Sequence, residues 1–151
     1  MTEVRFYHLQ RTSLEAALPK LLERTLARGQ RAVVMAGSNE RVEALTAHLW
    51  TYDPNSFLPH GSKRDGHAER QPVWLTDQDE NPNGATVLFL TDGAQSDAIS
   101  RFELCVEMLD GQNDAAVAAG RQRWAVYKEA GHGLVYYQQD ETGRWQEKAR
   151  G

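Results

Sequence analysis

Two short apolar runs constrain the fold of this chain more than any other feature. They are residues 31–36, RAVVMA, and residues 85–91, ATVLFLT. Apolar runs of this length are typical of β-strands that are buried on both faces. A strand with two buried faces needs helices on both sides of its sheet, so the sequence predicts an α/β architecture.

The segments next to the first run have helical patterns. Four leucines before it repeat on one helical face: Leu14, Leu18, Leu21 and Leu22. Residues 12–15 have the S/T-x-x-E form of a capping box, and Gly29 is expected to end the helix. Pro19 either kinks this helix or marks the first turn of its main segment. After the run, the spacing of Val42, Leu45 and Leu49 predicts a second helix that ends at Trp50.

The remaining segments supply further strands and a third helix. Four stretches have strand-forming composition: residues 4–9, 73–75, 102–109 (a strand or a mixed element) and 134–137. Residues 114–130 predict the third helix, residues 60–70 a mobile surface loop, and the residues after Tyr137 a polar tail that ends in Trp145. Together these elements predict a single Rossmann-like α/β domain over residues 1–151, with a mostly parallel sheet flanked by helices.

Composition and charge exclude several classes of protein. The 151 residues have a formal net charge of −4, whereas domains that bind nucleic acid by bulk charge are usually basic. A direct DNA contact through Lys63, Arg64 and Arg70 is therefore expected to be weak. No segment approaches the ~20 apolar residues of a membrane span. The single cysteine, Cys105, lies in an apolar run and predicts a buried inert thiol, which fits a cytoplasmic protein.

Nucleotide and metal motifs are missing from the positions where this fold would carry them. The turn at residues 10–12 has no glycine, and the turn at residues 37–39 has one, so neither has the backbone that admits a pyrophosphate. The five histidines show no metal-ligand spacing. We expect no nucleotide site, no metal and no cofactor. A binding or scaffolding protein is the favoured function, and a small α/β nucleotide-binding enzyme is the alternative.

Aromatic residues cluster in a segment of irregular backbone. Trp50 ends the second predicted helix, and Phe57 lies in a loop bracketed by Pro54 and Pro59. One interpretation places Trp50 against the sheet and Phe57 in a gap of the core. The other makes them a partner surface, where aromatic side chains are favoured anchors.

The third predicted helix has two faces of different character. Small residues and Tyr127 share one face, which is expected to pack inward: Ala116, Ala119, Gly120 and Ala130. Val117, Arg121, Trp124 and Lys128 fall on another face, which is apolar in its middle and doubly cationic. Such a face suits a short peptide with an apolar side chain and a carboxylate. The alternative is a solvated face with Trp124 folded onto its neighbours.

Several segments together resemble the chi subunit of the bacterial DNA polymerase III holoenzyme. The most specific are residues 49–60, with Leu-Trp followed by Ser-Phe-Leu-Pro-His, and residues 121–128, RQRWAVYK. The opening strand with Phe6-Tyr7, residues 29–34 and the segment from Tyr136 to Trp145 also fit. The resemblance extends over nearly the whole chain.

This resemblance implies a non-catalytic subunit of a DNA polymerase complex. Such subunits bind the acidic, aromatic C-terminal tail of single-stranded-DNA-binding protein, and they bind the psi subunit, which links them to the clamp loader. Trp50 and Phe57 match positions that face psi. Arg121 matches the arginine that receives the terminal carboxylate of the tail, and Trp124 matches a tyrosine beside it. Two lysines of the family pattern are replaced by Val117 and Ala125, and Lys128 is on the same face as Arg121.

Overall fold

Eight strands and three helices make up the computed structural model, which describes residues 2–151. The strands are β1 Glu3–Leu9, β2 Ala32–Met35, β3 Gly61–Ser62, β4 Val73–Thr76, β5 Val87–Leu90, β6 Leu104–Asp110, β7 Gly133–Gln139 and β8 Trp145–Arg150. The helices are α1 Leu14–Ala27, α2 Asn39–Thr51 and α3 Asp114–Glu129. Two short 3₁₀ turns are at Ala68–Arg70 and Ile99–Arg101.

The strands form one sheet in the order β3-β4-β2-β5-β6-β1-β7-β8. All neighbouring pairs are parallel except β7 and β8, which are antiparallel. Leucines and valines of α1 and α2 pack in the core on one face of the sheet, and Trp124 and Tyr127 of α3 pack in the core on the other. The predicted α/β architecture, with helices on both faces, is confirmed.

The two apolar runs lie in the middle of this sheet, as predicted. β2 lies between β4 and β5, and all four residues of β2 and of β5 are buried. Val34 and Phe89 contribute to the core under α1 and α2, whereas Val33 and Leu88 contribute to the core on the α3 side. Burial on both faces explains why neither run alternates between apolar and polar residues.

Pro19 lies inside α1 without ending it. Proline has no backbone N–H, so the carbonyl of Glu15 one turn earlier loses its helical donor. Nε2 of His48, on α2, lies 2.5 Å from that carbonyl oxygen. Because a carbonyl can only accept, His48 donates the missing hydrogen bond and ties α2 to the first turn of α1.

The N-terminus of α1 differs by one residue from the predicted capping box. The N-cap is Ser13, whose hydroxyl accepts a hydrogen bond from the backbone N–H of Ala16 at 3.2 Å. Thr12 instead binds the last residue of β7, since Nε2 of Gln139 donates to its hydroxyl at 2.6 Å. The predicted start of the helix at Thr12 is therefore wrong, because a tertiary contact uses its side chain.

Two edge strands are missing from the sequence prediction. β3 and a 3₁₀ turn lie in the predicted loop at residues 60–70, and β8 begins at Trp145, where the predicted polar tail ends. His60 is buried, with its ring nitrogens 2.7 and 3.0 Å from the carbonyl oxygens of Leu58 and Thr46. These strands lie at the two edges of the sheet, where β3 has only two residues and β8 is mostly exposed.

Cys105 is fully buried in β6, as predicted. Burial raises the pKa of its thiol well above the ordinary value, so the thiol stays protonated. A protonated thiol without solvent access is a poor nucleophile, which supports the inert role that the sequence indicates.

Candidate functional site

The inward face of α3 differs in part from the predicted one. Gly120 and Tyr127 are buried, as expected, but Ala130 is exposed. Arg123, which the sequence did not place inward, has a side chain only 12% exposed. The prediction for Ala130 is wrong because that residue is the C-cap, where the helix has already ended.

A groove of about 340 Å³ lies between α3 and the sheet. We name it the α3 groove, and its lining residues are Phe6, Leu109, Val117, Gly120, Arg121, Trp124, Tyr136, Gln138 and Ala149. Val117, Arg121 and Trp124 of the predicted peptide site are therefore brought together. Lys128 is exposed and does not line this groove.

Trp124 forms one wall of the α3 groove. Its ring centroid lies 5.4 Å from that of Phe6, and it meets Tyr136 edge to face at 6.4 Å. The ring is thus partly buried on its neighbours and still lines the groove. Both sequence interpretations of Trp124 describe part of this arrangement. The ring contacts two aromatic neighbours and gives the groove an apolar wall.

Arg121 is the charged residue at the α3 groove. Its side chain is exposed, and it is absent from the ion pairs formed among residues 2–151. The other lining side chains are apolar, aromatic or uncharged. A guanidinium beside an apolar groove can bind a carboxylate bidentately while the groove accepts an apolar side chain.

Close packing of α3 on the sheet depends on Gly120. A Cβ atom at this position would lie 2.8 and 3.0 Å from the two terminal carbons of Leu109, which is buried beneath the helix. Both residues line the α3 groove, so a side chain at position 120 has to displace part of its floor. The glycine weakens the helix interior and permits this close approach.

We expect Gly120→Ala to destabilise the protein. Overpacking costs about 1–3 kcal/mol, offset in part by about 1 kcal/mol from the better helix propensity of alanine. Urea denaturation measures the change. Gly133→Ala is the matched control, because its Cβ atom would meet nothing within 4 Å. Equal stability of the two variants would contradict the close-packing account.

A buried ionic network connects α3 to β6. Arg123 donates from Nε to Oε2 of Glu107 at 2.7 Å and from Nη2 to Oε1 at 3.2 Å. The Tyr127 hydroxyl donates to Oε2 of the same carboxylate at 2.8 Å. Burial raises the pKa of Glu107, and the hydrogen bonds from Arg123 and Tyr127 oppose this effect. Burial together with the nearby carboxylate raises the pKa of Tyr127, which keeps its hydroxyl protonated and able to donate.

The sequence contains a signal for this network that pattern reading did not use. Glu107 is a charged residue inside an otherwise apolar run, LCVEML, and a buried carboxylate needs a cation. Arg121 and Arg123 were both available on α3 to provide it. The position of α3 over the sheet places Arg123 against Glu107, whereas the side chain of Arg121 stays exposed.

Trp50 and Phe57 form a second surface, which we name the aromatic patch. They are 54% and 74% exposed, and their ring centroids lie 6.2 Å apart. The ring centroid of Trp50 lies 4.6 Å from that of His60. The buried His60 ties the loop to α2 through the carbonyl oxygen of Thr46. The interpretation that places Trp50 against the sheet and Phe57 in a gap of the core is wrong, because both side chains are more than half exposed and Leu58 is buried in place of Phe57.

A cleft of about 650 Å³ lies at the carboxyl ends of β1 and β6. Ligands of α/β folds commonly bind at this edge. Arg41 pairs there with Asp92 at 3.1 Å, and Arg123 with Glu107, so two of its three arginines already have a carboxylate. The paired arginines and the acidic side chains that line the cleft disfavour binding of a phosphate group there.

Residues 2–151 contain no group of three or more His, Cys, Asp or Glu side chains placed to hold a metal ion. None of the helices within these residues has the length and apolar character needed to cross a bilayer.

Comparison with known proteins gives two consistent similarities. The family model described as DNA polymerase III chi subunit, HolC, matches residues 1–135. A protein of Rickettsia prowazekii (strain Madrid E), named probable DNA polymerase III subunit chi, is 33% identical over 90 residues. The aligned segment covers 60% of this chain and 54% of that protein, so the match spans about half the length of the relative.

Proposed function

Because the chain belongs to the DNA polymerase III chi subunit family, we propose that it is a non-catalytic accessory subunit of the replicative polymerase. It binds the acidic C-terminal tail of single-stranded-DNA-binding protein and connects this protein to the clamp loader. In this proposal the protein acts at the replisome, in the cytoplasm. The aromatic patch and the α3 groove are the surfaces that carry the two contacts.

The observation that carries the tail-binding proposal is the Arg121 guanidinium beside an apolar groove, which forms no ion pair within residues 2–151. The resemblance to the chi family implies an acidic, aromatic peptide tail with a terminal carboxylate as the ligand. A volume of about 340 Å³ accommodates one large side chain, with the rings of Phe6, Trp124 and Tyr136 around it. Arg121 then binds the terminal carboxylate through two parallel hydrogen bonds. Anisotropy of a fluorescent tail peptide titrated with the protein tests this assignment directly.

The aromatic patch is the second contact, with psi or an equivalent clamp-loader component. Two exposed aromatic rings side by side are typical anchors of a protein interface. The patch lies at the end of α2, which packs against β3, whereas the α3 groove is bounded by β7 and β8. β3 and β8 are opposite edges of the sheet. Both partners can therefore be bound at once, as a linking subunit requires.

We expect the double variant Trp50→Ala/Phe57→Ala to lose the clamp-loader partner while retaining its stability. Both side chains are more than half exposed, so their removal affects the folded core little, whereas aromatic anchors contribute about 2 kcal/mol or more to an interface. Affinity capture of native complexes with the tagged protein measures the loss. Val126→Ala, a 63% exposed residue of α3, is the control. Undiminished recovery of the partner by the double variant would exclude the patch as its binding surface.

In this proposal the contact with DNA is indirect. The chain is acidic overall, and its middle segment, residues 75–110, contains eight acidic residues and one arginine, Arg101. Apart from the buried Glu107, these acidic side chains are at least partly exposed, and they repel the phosphate backbone. An acidic adaptor with one local arginine binds the tail of another protein without competing with that protein for DNA.

A further inference from the structure

A single row of residues crosses three neighbouring strands beneath α3. Phe6 of β1 is in register with Glu107 of β6 on one side and with Tyr136 of β7 on the other. Glu107 binds Arg123 and Tyr127 of the helix, and Tyr136 lines the α3 groove. One end of the row therefore anchors α3, and the other end forms the floor of the α3 groove.

Phe6 connects the two ends of this row. Its ring centroid lies 5.4 Å from that of Trp124, the wall of the α3 groove, and 6.0 Å from that of Tyr127, a member of the network. The position of α3 over Phe6 therefore determines how far Trp124 stands from Tyr136. A small rotation of the helix would change the width of the groove.

The Glu107–Arg123 pair has the geometry to prevent such a rotation. Two parallel hydrogen bonds fix both the distance and the orientation of the guanidinium, and the Tyr127 hydroxyl adds a third bond one helical turn later. Apolar contacts are not directional and would allow the helix to slide. A buried ion pair gives little net stability compared with apolar residues of the same volume, so orientation is the property that it supplies.

We propose that Glu107, Arg123 and Tyr127 are positioning residues, which set the width of the α3 groove by fixing the rotation of α3. The proposal rests on the proposed function, since the peptide tail is the ligand of that groove. None of the three side chains needs to contact the peptide. They act through Trp124 and Arg121, which the anchored helix presents to it.

The test replaces the network by apolar residues without breaking the fold. The triple variant Glu107→Leu/Arg123→Met/Tyr127→Phe removes both charges together with the hydroxyl that donates to Glu107, and such replacements of buried ionic networks are often neutral or stabilising. We expect its urea midpoint to equal or exceed that of the wild type, while the affinity for the tail peptide falls about 2- to 30-fold. A merely structural network predicts unchanged affinity once stability is restored, and that result would overturn the proposal.

Two further measurements keep the outcome decisive. Arg123→Lys retains the charge but loses the bidentate geometry, so it is expected to weaken peptide binding even where the triple variant fails to fold. Tyr127→Phe keeps the ring on Phe6 and loses only the hydroxyl. We expect Tyr127→Phe to weaken peptide binding less than Arg123→Lys does. If both variants bound the peptide with wild-type affinity, the positioning role would be refuted.

A readout without peptide separates this proposal from the proposed function. We expect the backbone amides of α3 to exchange hydrogen faster in Arg123→Lys than in the wild type, with unchanged exchange in α1. If the wild-type protein fails to bind the tail peptide, the proposed function is wrong, and exchange in α3 still decides whether the network holds the helix. Unchanged exchange in α3 would overturn the positioning role by itself.

Discussion

Arg121→Ala is expected to weaken binding of the tail peptide by about 10- to 150-fold. The estimate corresponds to about 1.5–3 kcal/mol for hydrogen bonds to a charged group. Arg121 is exposed and absent from the ion pairs within residues 2–151, so its removal leaves no carboxylate of this chain without a partner. Anisotropy titrations at fixed salt concentration measure the change, because the charge pair is screened as salt rises.

The control for this variant is Arg64→Ala. Arg64 is also exposed, but it follows β3 at the opposite edge of the sheet from the α3 groove. The Arg64→Ala substitution removes the same charge as Arg121→Ala, and we expect it to leave the affinity for the peptide nearly unchanged. Equal losses in the two variants would mean that the peptide responds to net charge, and the assignment of Arg121 would then fail.

Glu107→Ala is expected to reduce the free energy of unfolding by about 3–5 kcal/mol. Removing one partner of a buried ion pair leaves the other charge buried without compensation. Here the remaining charge is the Arg123 guanidinium, whose side chain is 12% exposed. Urea denaturation measures the change. The loss is larger than that of most single substitutions, because the carboxylate satisfies both Arg123 and Tyr127.

The matched control for this prediction is Glu147→Ala. Glu147 pairs with Arg150 at 2.7 Å, but both side chains are substantially exposed. Exposed pairs contribute about 0–1 kcal/mol, so this variant is expected to be close to wild type. A similar small effect for Glu107→Ala would show that the buried network does not hold α3 to the sheet.

The sequence predicted strands best where the chain is buried on both faces. β2 and β5 consist of apolar residues alone, so their composition identifies them without help from the surrounding fold. β8, with the sequence WQEKAR, is mostly exposed and pairs with only one neighbour. Its polar side chains are compatible with a strand or a tail, and pairing with β7 decides between them. β3 has two residues, which is too short for any periodic pattern.

The candidate site was predictable in part. The combination of Val117, Arg121 and Trp124 on one side of α3 follows from helical periodicity alone. The different roles of Arg121 and Arg123 do not, because both are arginines and only the position of Glu107 in β6 selects one for burial. The contact of His48 with the carbonyl freed by Pro19 likewise depends on how two helices pack. Polar contacts between distant segments are the features that local sequence patterns omit.

The central claim is that Arg121 receives the terminal carboxylate of a peptide bound in the α3 groove. Its most direct test is a double-mutant cycle that combines Arg121→Ala with a tail peptide whose terminal carboxylate is amidated. We predict that amidation weakens binding to the wild type by about tenfold or more, and that the Arg121→Ala protein does not distinguish the two peptides. If Arg121→Ala remained as sensitive to amidation as the wild type, Arg121 would not be the partner of the carboxylate.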